Sequence, residues 1–110
     1  MINFEAFSDA MDGDDDMMSM IIELYNEEHG NDIQVIKDKY ASSDIDGLFH
    51  TVHSLKGVLL TLCEESASEQ FETIERLCKR GEKPSAELIN AVLNEMVKVN
   101  QQIATHALTN

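Results

Sequence analysis

Apolar residues recur every three or four positions along almost the whole chain, and this spacing constrains the fold more than any other feature. Such a period places apolar side chains on one face of an α-helix. Residues that break helices are scarce, since the 110-residue chain has only one Pro and five Gly. We therefore predict an all-α protein, and the length predicts a single domain that spans residues 1–110.

The first half of the chain predicts three helices. A short one covers residues 3–11, with Asn3 as its N-cap. A long second helix runs over about residues 14–40, and the Gly30–Asn31 pair predicts a kink or a split within it. Asp44 is a good N-cap for a third helix, whose apolar stripe continues to Leu62.

The second half predicts two more helices. Ser66 with Glu69 three residues later matches a capping box, and Gly81 is placed as the residue that ends this fourth helix. Pro84 or Ser85 opens the last helix. Four amphipathic helices with short connections predict an antiparallel four-helix bundle, with the short extra N-terminal helix covering one end.

The charge balance limits the class of partner. Eight basic residues stand against 21 acidic ones, a formal net charge of -13. A nucleic-acid surface needs clustered Lys and Arg, and an anionic membrane attracts the same groups, so both partners are disfavoured. The acidic excess favours solubility, and a partner with a basic rim is the alternative interpretation.

The cysteines and the absence of long apolar segments bear on the compartment. Cys63 and Cys78 both lie at positions that are typical of helices and do not form a disulfide framework, which favours a reducing environment. No basic-then-apolar leader and no apolar run of about 18 residues is present. We therefore expect a cytoplasmic protein.

His53 lies on the third helix, and its orientation can be derived from a helical wheel. At ~100° per residue, the apolar stripe centres between Val52 and Leu55, and His53 points roughly 140° away from it. Its side chain should therefore face solvent. Three of its neighbours on the helix surface make a candidate docking patch around the imidazole: Phe49, His50 and Leu60.

Lys56 and Gly57 complete this outward face. A glycine inside a helix costs ~1 kcal/mol relative to alanine, so it needs a reason, either close helix packing or room for a partner. The wheel turns Gly57 outward, which favours room for a large group to approach His53. Lys56 supplies a cation that can pair with phosphoryl oxygens.

An exposed neutral imidazole with open approach and a nearby cation is suited to nucleophilic attack on phosphorus. Phosphoryl transfer depends mainly on positioning and charge neutralisation. The sequence has no P-loop and no carboxylate cluster around His53 that would hold Mg²⁺. This combination favours a phosphoryl carrier, whose partner protein supplies the metal, over a stand-alone kinase.

These residues resemble the histidine-phosphotransfer (HPt) domains of multistep two-component phosphorelays. The family signature His-x-Leu-Lys-Gly is matched by "HSLKG" at residues 53–57. The family's Asp nine residues before the histidine is matched by Asp44. Its downstream pattern of apolar and acidic positions is matched by Ala67, Phe71, Ile74 and Glu75.

The resemblance implies a role for each residue of the motif. His53 would carry the phosphoryl group on Nε2, Lys56 would stabilise it, and Gly57 would leave room for the receiver domain. Glu75 would orient the histidine from the next helix. Phe49, His50 and Leu60, on the same helix, would form the rim where receivers dock.

The resemblance also implies the partners. These are response-regulator receiver domains and a hybrid sensor histidine kinase, and the carrier would have no cofactor of its own. The lack of a long free apolar stripe favours a monomer. The receiver would bring Mg²⁺. The sequence departs from the family in the bulky run "VLLTL" after the motif and in Cys63, which stands where relatives often have Gly.

Other interpretations remain open at this point. A helical adaptor that binds or sequesters a receiver without phosphotransfer fits the bundle, the charge and the apolar patch equally well. His50 and His53 are spaced three apart, which can chelate a metal.

Two features near the N-terminus have alternatives of their own. The acidic run matches the ligand spacing of a Ca²⁺ loop but has Met17 where that loop needs Gly, and a solvated acidic start of the helix is favoured over it; the matching residues are Asp12, Asp14, Asp16 and Glu23. The methionines at 17, 18 and 20 are expected in the core, with an adaptable partner surface as the alternative.

Overall fold

The computed structural model describes the backbone of residues 1–109 and the side chains of residues 1–106. Six helices form this part of the chain, and no β-strand is present in it. They are α1 (Phe4–Ala10), α2 (Asp15–His29), α3 (Asp32–Ala41), α4 (Ile45–Thr61), α5 (Ser66–Lys79) and α6 (Ala86–Thr109). The predicted all-α bundle with a short N-terminal helix is confirmed.

The N-terminal caps lie where side-chain chemistry places them. Asn3, Asp14 and Asp44 each accept a hydrogen bond from a backbone N–H three residues on, at 2.9–3.1 Å. Ser85 Oγ accepts from the N–H of Leu88 and so opens α6 in the same way. Each cap satisfies one of the four N–H groups that a helix start leaves without a partner.

The long second helix is split into α2 and α3 at the Gly30–Asn31 pair, as the sequence predicted. A Cβ on Gly30 would lie 2.5 Å from the Asn26 carbonyl oxygen, so the tight turn there requires glycine. Two buried side chains bridge the break, because His29 Nδ1 lies 2.7 Å from Asp32 Oδ2. This buried contact stabilises the break, because each of the two polar side chains has a hydrogen-bonding partner.

The core is built from one apolar face of each helix. Helix α4 packs against α3 and α5, and α5 packs against α6. Because short loops join these packed neighbours, they run antiparallel. The Tyr25 hydroxyl of α2 donates to Asn100 Oδ1 of α6 at 2.5 Å and ties the first long helix to the last. The bundle measures 41 × 21 × 20 Å.

The start of α5 differs from the sequence prediction. Ser66 and Glu69 do not form a capping box, and Glu65, which precedes α5, makes no side-chain cap bond. The fully buried carboxylate of Glu64 accepts hydrogen bonds from the N–H groups of Ala67 and Ser68, each at 2.9 Å. The prediction was wrong because the tight turn after α4 carries Glu64 beneath the helix start, where it reaches two orphan donors.

The end of α5 agrees with the prediction. Gly81 has φ +75° and follows the C-cap residue Arg80. Its N–H donates to the Cys78 carbonyl, and the N–H of Glu82 donates to the Leu77 carbonyl. This pair of bonds is a Schellman motif, which favours glycine because only its backbone enters the left-handed region without cost.

Cys63 and Cys78 are both free thiols, so no disulfide joins them. Cys63 lies in the left-handed region, with φ +57°. Within residues 1–109, no helix is long and apolar enough to cross a membrane.

Candidate functional site

Helix α4 carries His53 on its outward face. Its buried face is formed by Leu48, Val52, Leu55 and Leu59, all without solvent exposure. The His53 side chain is 65% exposed, as the helical wheel predicted. The imidazole is therefore fixed on a rigid, well-packed helix and remains open to a large partner.

Glu75 of α5 holds this imidazole from the neighbouring helix. The Nδ1–H of His53 donates to Glu75 Oε1 at 2.7 Å, and the Lys56 ammonium donates to Oε2 at 2.8 Å. A carboxylate can only accept, so this bond assigns the ring proton to Nδ1. The lone pair of the neutral ring is consequently on Nε2, the nitrogen that Glu75 does not engage.

The pKa of Glu75 reflects these bonds. Burial alone would raise the pKa of this carboxyl, but the hydrogen bonds from Lys56 and then His53 lower it below its ordinary value of 4.5. The side chain is only 12% exposed, so water screens the interaction weakly. Glu75 is therefore ionised at neutral pH and neutralised in part by Lys56.

A Glu75→Gln variant should lose a pH-dependent part of the stability. Because the folded pKa of Glu75 lies below the unfolded value, its ionised form stabilises the fold above about pH 4.5, and this is lost as the pH falls through the folded pKa. We expect wild type to exceed Glu75→Gln in free energy of unfolding at neutral pH and the difference to narrow as the pH falls below about 4.5. Urea titrations across that range measure it, and a gap that stays constant contradicts the assignment.

The predicted docking residues form an aromatic row beside the imidazole. The half-buried Phe49 ring stacks on His53, with centroids 5.8 Å apart and planes 10° apart. His50 meets the edge of Phe49 with centroids at 5.5 Å. Stacking on one face and the Glu75 hydrogen bond at one edge together restrict rotation of the His53 ring.

Leu60 and Gly57 lie on the C-terminal side of His53. Leu60 is 56% exposed. A Cβ on Gly57 would find no atom within 4 Å. Helix packing therefore does not require glycine at position 57, and the space above it is open.

An acidic groove beside this site was not found from the sequence. It has a volume of about 460 Å³ and is lined by Lys56, Leu60, Glu65, Ser68, Glu69 and Glu72. Glu65, Glu69 and Glu72 are spaced four and three apart, so the sequence could have indicated an acidic face at the start of α5. Which neighbour this stripe faces depends on how α5 packs on α4, so it could not be assigned before the fold was known.

The metal interpretations find no support in the geometry. Among residues 1–109, no three His, Cys, Asp or Glu side chains lie close enough together to hold a metal ion. His50 is turned to the edge of Phe49, and Asp14 is engaged as the N-cap of α2. The acidic residues at positions 12–16 are exposed, in line with the favoured solvated start, and Asp14 in addition caps α2.

Comparison with known proteins identifies a family for this chain. Residues 20–103 match the Hpt domain, and this range includes the His53 motif and the Glu75 that contacts it. No curated protein and no solved structure gives a significant match to the chain. Hpt domains carry out histidine phosphotransfer in phosphorelays and interact with receiver domains. The match covers most of the 110 residues, and the chain belongs to the Hpt domain family.

Proposed function

We propose that this protein takes a phosphoryl group from the phosphorylated aspartate of one receiver domain onto Nε2 of His53 and passes it to another receiver. The observation that supports this most is the hydrogen bond from His53 Nδ1–H to Glu75 on an imidazole that is 65% exposed. It leaves the outward nitrogen with a free lone pair, which is the condition for in-line attack on phosphorus.

In the transfer step, the Nε2 lone pair forms a bond to phosphorus while the bond between phosphorus and the aspartate oxygen breaks. The aspartate leaves as a carboxylate, and the histidine becomes a cationic phosphoimidazolium. Glu75 accepts the Nδ1–H throughout and would stabilise that positive charge at 2.7 Å. The reverse step returns the phosphoryl group to the next receiver.

Lys56 would neutralise charge on the transferred group. Its ammonium has three donors, of which one is engaged by Glu75 at 2.8 Å. The remaining donors are available to phosphoryl oxygens beside His53. The receiver would contribute Mg²⁺, which neutralises phosphoryl charge while the two proteins are docked.

Docking would occur over Phe49, His50 and Leu60, with the open space at Gly57 admitting the receiver. We propose that the donor is the receiver domain of a hybrid sensor histidine kinase and the acceptor a response regulator. The carrier would act as a monomer in the cytoplasm, where its two thiols stay reduced.

The direct test mixes the purified protein with receivers carrying a labelled phosphoryl group and Mg²⁺. We expect label on the protein in a form that acid releases and base does not, as for a phosphohistidine. A protein that binds several receivers and takes no label from any of them would instead be the helical adaptor.

A bulkier residue at position 57 should separate stability from transfer. Because nothing lies within 4 Å of a Cβ there, Gly57→Leu should raise the free energy of unfolding by about 0.5–1 kcal/mol through better helix propensity. The same side chain would occupy the space that the receiver needs. We therefore expect transfer to slow by about tenfold or more, which corresponds to an activation free energy higher by ~1.4 kcal/mol.

Asn94→Leu on the exposed face of α6 is the matched control, since it introduces the same side chain on a helix that carries no residue of the His53 site. It should leave the transfer rate at the wild-type value. Denaturant titration and single-turnover transfer measure the two effects. Wild-type transfer by Gly57→Leu would show that position 57 does not face the receiver.

A further inference from the structure

A groove opens between the N-terminal segment and α6, and none of the residues of the His53 site lines it. Its volume is about 540 Å³. Small-molecule sites in proteins measure about 300–1,000 Å³, so the groove has room for such a ligand. Apolar, aromatic and polar side chains line it together, and we call the space between them the α6 groove: Met1, Phe4, Lys98, Gln101, Thr105 and His106.

The N-terminal wall of the α6 groove is held in place by hydrogen bonds. Gln102, which also lines the groove, accepts from the Ile2 N–H at 2.7 Å and donates to the Ile2 carbonyl at 3.1 Å. The Met1 ammonium donates to Glu64 and Glu95, at 2.9 and 2.8 Å. A preformed site loses little ordering free energy when a ligand binds. The groove is therefore shaped before any ligand arrives.

An aromatic pair forms the apolar part of the α6 groove. The rings of Phe4 and His106 lie nearly parallel, with centroids 4.8 Å apart and 13° between their planes. Met1 is 50% exposed, and its thioether can contact an aromatic ring favourably. Flat aromatic rings gain free energy from stacking beyond the area that they bury. This part of the groove thus favours a planar aromatic body.

The polar part of the groove favours an anion. The chain has 21 acidic residues, but none lines the groove among residues 1–106, and Lys98 supplies a cation. The Lys98 ammonium is exposed and lies 3.7 Å from one oxygen of Glu95, beyond hydrogen-bond length. The other oxygen of Glu95 accepts from the Met1 ammonium. Lys98 therefore has donors for a ligand, and Gln101 and Thr105 add polar groups one and two turns further on.

The position of α6 in the bundle separates the groove from the phosphotransfer site. Helix α4, which carries His53, packs against α3 and α5, whereas α6 packs against α5. In a four-helix bundle, α6 therefore lies diagonally across from α4. Asn100 faces α2 through its hydrogen bond to Tyr25, and Lys98 points about 160° away from Asn100 at ~100° per residue. The groove is thus on the flank of α6 that is turned away from α2.

We propose that the α6 groove binds a small planar aromatic carboxylate. The ring of the ligand lies against Phe4 and His106, and its carboxylate pairs with the Lys98 ammonium. A neutral aromatic molecule lacks the ion pair, and an aliphatic acid lacks the stacking, so tight binding needs both parts. Because the ligand contacts both the N-terminal segment and α6, it stabilises the native state by mass action while His53 stays available.

The probe is 2-naphthoate, titrated into the full chain and followed by amide NMR shifts. Two control ligands each keep one half of its chemistry: 2-naphthalenemethanol has the same rings without charge, and hexanoate has the carboxylate without rings. We expect 2-naphthoate to bind with a dissociation constant of about 1 mM or below, and each control at least about tenfold more weakly. The largest shifts should be at Phe4, Gln101 and Thr105.

Two pairs of variants separate charge from space. Lys98→Gln should weaken 2-naphthoate about tenfold and leave 2-naphthalenemethanol within about twofold, whereas Lys37→Gln, an equal charge change on the exposed face of α3, should leave both unchanged. Thr105→Trp fills the groove and should weaken both ligands about tenfold or more. Ala104→Trp, at the adjacent exposed position outside the groove, should weaken neither. If Thr105→Trp unfolds, Gln101→Trp takes its place.

Several results overturn the proposal. An equal loss in Lys37→Gln would show attraction by net charge alone, and shifts centred on Phe49 and Leu60 would place the ligand on the receiver patch. A wild-type dimer that Thr105→Trp abolishes in sedimentation would make a second copy the occupant. The absence of saturable 2-naphthoate binding would also reject it. Lost binding in Lys98→Gln and Thr105→Trp, with phosphotransfer at the wild-type rate, supports a separate ligand site.

Discussion

A His53→Gln variant is expected to take up no label from a phosphorylated receiver, whereas His50→Gln is expected to be labelled like wild type. Glutamine preserves the length and polarity of the side chain but has no nucleophilic ring nitrogen, so transfer should fall below detection. His50 is also exposed on α4, but its ring packs against Phe49, and no carboxylate among residues 1–106 makes a hydrogen bond to it. The pair therefore isolates Nε2 of His53.

The measurement follows label on each variant over time at equal receiver concentration. His50→Gln should unfold at the wild-type midpoint because its side chain is exposed, whereas His53→Gln should be slightly less stable because the Nδ1–H bond to Glu75 is lost. Binding of His53→Gln to the unphosphorylated receiver should persist, since Phe49 and Leu60 are unchanged. Label on His53→Gln, or its loss in His50→Gln alone, would assign the phosphoacceptor to the other histidine.

Glu64→Ala is expected to destabilise the fold by about 2–4 kcal/mol, the largest effect on stability of the changes considered. The carboxylate is completely buried and accepts hydrogen bonds from the N–H groups of Ala67 and Ser68 and from Ser68 Oγ. Alanine would leave the two backbone N–H groups at the start of α5 without this partner, whereas Ser68 Oγ would keep its 2.8 Å hydrogen bond to the carbonyl oxygen of residue 64. The negative charge also favours the positive end of the helix dipole, and alanine would lose that too.

The adjacent Glu65→Ala is the matched control. Glu65 is exposed and makes no cap bond, so its loss should change the free energy of unfolding by less than about 0.5 kcal/mol. Glu64→Gln keeps one acceptor oxygen and should lie between the two. Urea denaturation measures all three. Equal stability of the two alanine variants would mean that water replaces the carboxylate at the start of α5.

The helices themselves were predictable because their determinants are local. The three-four spacing, the caps at Asn3 and Asp44 and the glycine after α5 each act within one or two turns of the chain. The outward direction of His53 follows from the same period, since the position of Val52 and Leu55 in the core defines the angle of residue 53. The break in the helix at Gly30 has a local cause as well, because a Cβ added at this position would clash with the carbonyl oxygen of Asn26.

The contacts between helices were not predictable from spacing alone. The family resemblance pointed to Glu75, but its bonds to both His53 and Lys56 depend on the rotation and axial offset with which α5 packs on α4. The same packing turns Glu72 toward Leu60 and makes the acidic groove. Met18 is buried together with Ile22 and Tyr25, which lie four and seven residues further on, whereas Met17 and Met20 are exposed, so the core prediction for Met17 and Met20 was wrong.

The amino-acid sequence by itself thus determined the helical class, the ends of most helices and an imidazole that faces solvent, because these depend on residues a few positions apart. The tertiary structure alone decided how Glu75 reaches both His53 and Lys56, which carboxylate caps α5 and which apolar side chains stay exposed. These depend on side chains that are brought together only when helices distant in the chain pack, and periodicity within one helix carries no information about that registration.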